Sequence, residues 1–194
     1  MSHTLYTVSP GLLDVSIREA LRYLNIKSPD EALLRLTMDC IDEAKRIASL
    51  KAVYIKSGVT VENDIVRLDF MEMKSAKLAT FLNGCNEAYV FAATMGMRAD
   101  MLVNRYLKTE ASRGVIFNAA CVALEETFCD RLNGYLLGVD SSTRRFSPGY
   151  GDLSLEYQRE ILAYLDAERK IGVSLTDGCL MVPTKTVTAI VGIK

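Results

Sequence analysis

Residues 145–190 read RFSPGYGDLSLEYQREILAYLDAERKIGVSLTDGCLMVPTKTVTAI, and the succession of patterns in them decides the fold. Pro148-Gly149 sets a fixed φ beside a residue that tolerates positive φ, which is the chemistry of a tight turn. Leu155, Ile161, Leu162 and Leu165 then share one face of a helix expected over 155–168. Beyond it the apolar residues Val173, Leu175, Leu180, Val182, Val187, Ala189 and Val191 are separated by polar or small ones, with turns at Asp177-Gly178 and Pro183-Thr184. Antiparallel strands follow from that alternation.

Working back toward the N-terminus, helices and strands keep changing places. Ser16-Ile17-Arg18-Glu19 has the form of a capping box, followed at helical spacing by Ala20, Leu21 and Leu24. Ser28-Pro29-Asp30-Glu31 repeats the signal, with Ser28 as N-cap and Pro29 at the first helical position, and opens a helix expected to run to about residue 50. Val53, Ile55, Val59, Val61, Ile65, Val66 and Leu68 form an antiparallel ribbon over 52–70, turning at Asn63-Asp64. Residues 75–82 return to helix and stop at Asn83-Gly84, and the apolar run 88–93 fits a strand buried on both faces. After Thr94-Met95-Gly96 a helix is expected over 97–108, with Met101, Leu102 and Tyr106 on one face. A longer one follows over 112–138, striped by Val115, Ala119, Val122, Phe128, Leu132 and Leu136. A loop spans 138–152. With no repeat, low-complexity tract or linker to divide it, the chain reads as a single α+β domain over 1–194, an antiparallel sheet with several helices.

Composition narrows the function. The 194 residues carry 23 Lys plus Arg against 24 Asp plus Glu, a net charge of -1, so electrostatic binding of nucleic acid is not the expected role. The five cysteines, Cys40, Cys85, Cys121, Cys129 and Cys179, form no C-x-x-C pair, and the single histidine, His3, sits on a terminus expected to fray. Disulfide framework, zinc site and Ser-His or Cys-His catalysis therefore lack candidates. No apolar run approaches the roughly 20 residues that span a bilayer, and the first residues lack a signal-peptide pattern. A reduced, cytoplasmic, soluble protein is expected.

The segment 144–152 carries the most chemistry. Arg145 offers a planar fork for a carboxylate or phosphate, the Pro148-Gly149 turn lets backbone approach a ligand, and Tyr150 adds a flat face with a hydroxyl. Taken alone, such a stretch is more often a surface turn with a solvated arginine. Glu125-Glu126 lies in an apolar helical stretch. At 100° per residue at most one of the two faces inward, and on the residues alone both are better placed on the solvated edge. Cys121 and Cys129 read as small buried hydrophobes. Glycine-rich phosphate loops are absent.

Read as one string, Arg145-x-x-Pro148-Gly149-Tyr150, the helix ending near Ala167-Glu168-Arg169-Lys170-Ile171-Gly172, and the run from Leu180 through Pro183 to Ile190 resemble the activation domain of cobalamin-dependent methionine synthase. Leu21-Arg22-Tyr23-Leu24, Ala92-Ala93-Thr94-Met95-Gly96 and the run 124–132 are similar to its short, stand-alone form. The resemblance implies S-adenosylmethionine binding and a part in reductive reactivation of an oxidised corrinoid. It implies that Arg145 holds the methionyl carboxylate. The backbone at Ser147, Pro148 and Gly149 would meet the adenosyl part, Tyr150 would line the pocket, and Glu126 would be the family's helical acid. The chain departs from the family at Gly151-Asp152-Leu153-Ser154, at Val182 and at Thr188, and has no counterpart of the later aromatic ligand contact before Lys194.

A corrinoid-binding D-x-H-x-x-G motif is also missing, so cobalamin enters only through a partner: a corrinoid-binding methyltransferase or methionine synthase subunit, served by a flavodoxin-like or ferredoxin-like reductant. Two other readings stay open, a stand-alone S-adenosylmethionine-dependent methyltransferase and a non-catalytic interaction module with a decayed pocket. Whether the chain is itself an enzyme is left open with them, as is oligomeric state, a homodimer being compatible with the Met-rich, aliphatic composition.

Overall fold

Strand β5 (Glu87–Thr94) is the hub of the sheet in the computed structural model, which describes residues 3–138 and 144–193. Its side chains feed two cores in alternation: Phe91 and Ala93 enter one, Ala88, Val90 and Ala92 the other. That is why 88–93 is apolar without a break, although its neighbours run antiparallel. β8 (Thr186–Ile193) repeats the arrangement, with Ala189 and Val191 on one side and Ile190 on the other.

The sheet runs β4 (Met71–Lys74), β3 (Ile65–Leu68), β2 (Lys51–Glu62), β5, β8, all antiparallel. β2 is long enough to pair with β5 over 51–58 and with β3 over 59–62, which curls the sheet. β1 (Thr4–Thr7) pairs with the start of β2.

Each face is covered by helices. On one side lie α1 (Ile17–Tyr23), α2 (Glu31–Ile47), α4 (Met97–Thr109) and α5 (Ala111–Leu137), contributing Ala20, Ile41, Val103, Phe117, Leu124 and Phe128 to the first core. On the other lie α3 (Ala76–Phe81), α6 (Tyr157–Tyr164) and α7 (Ala167–Ile171), with Leu78, Ile161 and Ala167 in the second. A small hairpin, β6 (Ser174–Leu175) and β7 (Met181–Val182), leads into β8. The molecule is thus a single α+β domain with a curled antiparallel sheet and, among the described residues, seven α-helices.

The tight turn expected at Asn63-Asp64 forms, and the helix expected over 75–82 begins with a cap. Asn63 turns with φ 56, and the Leu78 amide donates to Ser75 Oγ at 3.0 Å, capping α3. Other expectations move. Ser28 is not the cap of α2: Asp30 is, accepting from Leu33 N at 2.8 Å. Ser16 stands at the start of α1 without a side-chain capping bond: the Glu19 amide donates to its carbonyl at 3.1 Å, and the Glu19 carboxylate takes Arg22. The helix expected over 155–168 breaks at Asp166, whose φ of 53 separates α6 from α7. Met101 and Val115 face solvent, since the inner stripes of α4 and α5 pass through Ala99 and Val103 and through Ile116, Ala120 and Leu124. Leu180 is also exposed. His3 does not fray: it leads into β1, and its ring meets Tyr164 edge-on at 5.6 Å. Of the loop expected over 138–152, residues 139–143 lie outside the described residues.

Candidate functional site

The segment 144–150 is held against β8, α3 and α5, and a cleft of about 610 Å³ opens where they meet. Phe146 forms a β-bridge to Ile190, its amide donating at 3.0 Å and its carbonyl accepting at 2.8 Å. The segment therefore runs along the outer edge of β8, with Val187 in the cleft wall.

The turn that follows is built as its residues dictate. Tyr150 N donates to Ser147 O at 3.0 Å across Pro148-Gly149, and Gly149 has φ 88, the conformation a type II turn requires after proline. Asp152 then fastens the loop to α3. Ser75 Oγ donates to its Oδ1 at 2.5 Å, Ala76 N to its Oδ2 at 2.9 Å and Lys77 N to its Oδ1 at 3.3 Å. The bond from Ser75 and those from the backbone amides hold this carboxyl below its ordinary 3.8 against the opposing effect of desolvation.

Arg145 lies at the bottom of the cleft. Its Nη1 donates to Asp130 Oδ1 at 2.7 Å and its Nη2 to Glu126 Oε2 at 2.5 Å. The two acids stand one turn apart on α5, so a single guanidinium spans both. Only 15% of the arginine side chain is exposed, against 40% for Glu126 and 56% for Asp130. Burial works against its charge, and Cys129, Asp130 and Glu126 more than offset that. Phe81, Phe146 and Tyr150 make an aromatic wall, with ring centroids 5.4 Å apart for the first pair and 6.3 Å for the second.

Of the residues singled out from the sequence, Arg145, Ser147, Tyr150 and Glu126 line this cleft, while Pro148 and Gly149 shape the turn without lining it. Lys77, Thr80 and Phe81 on α3, and Asp130 on α5, complete the wall and were not singled out. Asp130 had a local signal, its four-residue spacing from Glu126; the α3 residues had none. The Glu125-Glu126 pair is not wholly on the solvated edge: Glu126 takes Arg145, while Glu125 points inward, 6% exposed, its Oε1 without a hydrogen-bond partner among the described residues. Burial pushes the Glu125 carboxyl well above 4.5, with Lys185 opposing and Glu126 and Asp100 adding to the rise.

The thiols are unfitted for nucleophilic work. All five are buried, and desolvation pushes Cys40 up to about 11 and Cys121 up to about 12. No group of three or more His, Cys, Asp or Glu among the described residues is arranged to hold a metal ion, and no helix there is long and apolar enough to cross a membrane.

No known protein family and no curated protein is matched by the chain. Among solved structures it is similar to the MetH reactivation domain bound to AdoHcy, with a TM-score of 0.71 over 99% of this chain and 78% of that one, at 14% identity. At that identity the likeness shows a shared fold: this chain has the architecture of the MetH reactivation domain.

Proposed function

We propose that the cleft beside Arg145 binds S-adenosylmethionine, and that the chain presents it to a corrinoid carried by a separate methyltransferase during reductive reactivation. The observation that carries the reading is the meeting, in one cleft, of an arginine fork, two acids and an aromatic wall. Full-length similarity in fold to a domain solved with AdoHcy supports it.

The groups suit the ligand. Glu126 and Asp130 would face the ammonium and sulfonium charges, and the guanidinium, with five N–H groups of which two are engaged by the acids, has others left to donate to the carboxylate. Phe81, Phe146 and Tyr150 offer faces on which the adenine stacks. Methyl acceptance belongs to the corrinoid on the partner; this chain's residues bind, orient and leave the sulfonium side open.

A second reading, an interaction module without ligand, draws on the same ion pairs, because an arginine satisfied by Glu126 and Asp130 needs nothing more. Titration calorimetry of S-adenosylmethionine into the chain separates the two. Binding weakened at least about tenfold in both Arg145→Ala and Tyr150→Ala is the expected result. No heat, and no rise in melting temperature at millimolar ligand, refutes the site.

A further inference from the structure

Resting on that reading, we propose that Lys77 of α3 is a specificity residue, a second cation that joins Arg145 at the ligand's carboxylate and makes the cleft select adenosyl thioethers and sulfoniums that carry an amino-acid group over their decarboxylated or truncated relatives. Three observations lead there.

The first is charge. Arg145 is bound by two carboxylates, so the triad it forms with Glu126 and Asp130 carries one net negative charge. Such a triad attracts an ammonium and a sulfonium and repels a carboxylate unless another cation stands by. The second is position. Lys77 lines the same cleft, is exposed, and forms no ion pair with any described residue. The third is how its side chain is placed. Gly151 has φ 62, and a Cβ built there would stand 2.4 Å from Lys77 Cδ and 3.5 Å from its Cβ and Cε. The aliphatic stem therefore lies across a backbone that only glycine leaves clear.

The backbone beneath the stem is fixed as well. Lys77 N donates to Asp152 Oδ1, and the same carboxylate takes Ser75 Oγ and Ala76 N. Gly151 and Asp152, the residues at which the sequence departs from the family pattern, thus seat one lysine at the rim of the cleft. A lysine held by its stem delivers a point charge at the end of a short flexible arm, which fits a terminal carboxylate without demanding bidentate geometry.

The test compares four ligands by titration calorimetry on the full chain: S-adenosylmethionine, S-adenosylhomocysteine, decarboxylated S-adenosylmethionine and 5′-methylthioadenosine. Wild type is expected to bind the two carboxylated ligands about tenfold or more tightly than the other two, as one charge-assisted hydrogen bond implies. Lys77→Met keeps the stem and removes the charge; it is expected to lower the affinity for S-adenosylmethionine relative to decarboxylated S-adenosylmethionine, which differ only in the carboxylate, by about tenfold, while Lys77→Arg retains the preference. The preference in wild type is expected to shrink as salt rises. A ratio unchanged in Lys77→Met overturns the role of Lys77 while leaving the binding site standing. Failure of wild type to bind any of the four overturns the binding site itself, and the role of Lys77 with it.

Discussion

Glu125→Gln is expected to stabilise the protein by an amount that grows with pH. The carboxyl is 6% exposed, and burial raises it well above its ordinary 4.5. A folded chain that keeps a proton which the unfolded chain has released loses stability as pH climbs. The contribution of this carboxyl is therefore fully present below about 4.5 and is lost through the window above, up to the folded value. One proton sets the slope at about 1.4 kcal/mol per pH unit. Glutamine has no such proton, so the difference in unfolding free energy between variant and wild type should widen from pH 5 to 6 and again to 7, at no more than that slope and for as long as the native carboxyl stays protonated. Any constant offset, such as an amide proton left without an acceptor, shifts the line without changing its slope. Urea denaturation of both proteins at the three pH values measures it. A difference that does not vary with pH refutes the reasoning, because it means that the buried carboxyl ionises in the folded chain as it does in the unfolded one.

Ser75→Ala removes both the α3 cap and a donor to Asp152; a loss of about 1 kcal/mol is expected from the cap alone, read as a melting temperature lower by roughly 2–4 °C. Because Asp152 is held below 3.8, its latch is present above that value and weakens as pH falls further, so the effect of the serine should fade only in strong acid. Gly114→Ala tests packing against propensity: alanine favours a helix by about 1 kcal/mol, yet its Cβ would stand 2.7 Å from Leu107 N and 3.0 Å from Leu107 Cα, so a net loss of roughly 1–2 kcal/mol is expected. A higher melting temperature in that variant refutes the close approach of α4 and α5.

How far the fold could be read from the sequence depends on how local the deciding interaction is. The Asn63-Asp64 turn, the stop of α3 before Asn83-Gly84 and the apolar run 88–93 declare themselves within a few residues, and the structure has all three. The cap of α2 is settled elsewhere. Ser28 and Asp30 are both competent to cap by residue type, and it is Asp30 that accepts from the Leu33 amide. β1 is illegible for a similar reason: Leu5 is exposed, and only pairing with β2 makes the segment a strand. Periodicity misplaced Val115 because α5 is apolar nearly all round, which leaves several stripes equally good until the neighbouring helices select one.

The site divides along the same line. Glu126 and Arg145 could be named together only through a family resemblance, since nothing in their residue types says that a loop arginine folds back onto an acid on a helix before it. The physical link is the β-bridge of Phe146 to Ile190, which lays the loop along β8 and brings Arg145 over α5. The α3 wall is joined by a different fastening, Asp152 to Ser75 and the amides after it. These two attachments, one on each side of the Pro148-Gly149 turn, explain why residues remote in sequence share a cleft. They also change the meaning of the departures at 151 and 152. A family pattern locates the arginine and the turn; Gly151 and Asp152, which differ from it, fasten that turn to the start of α3 and lie against Lys77.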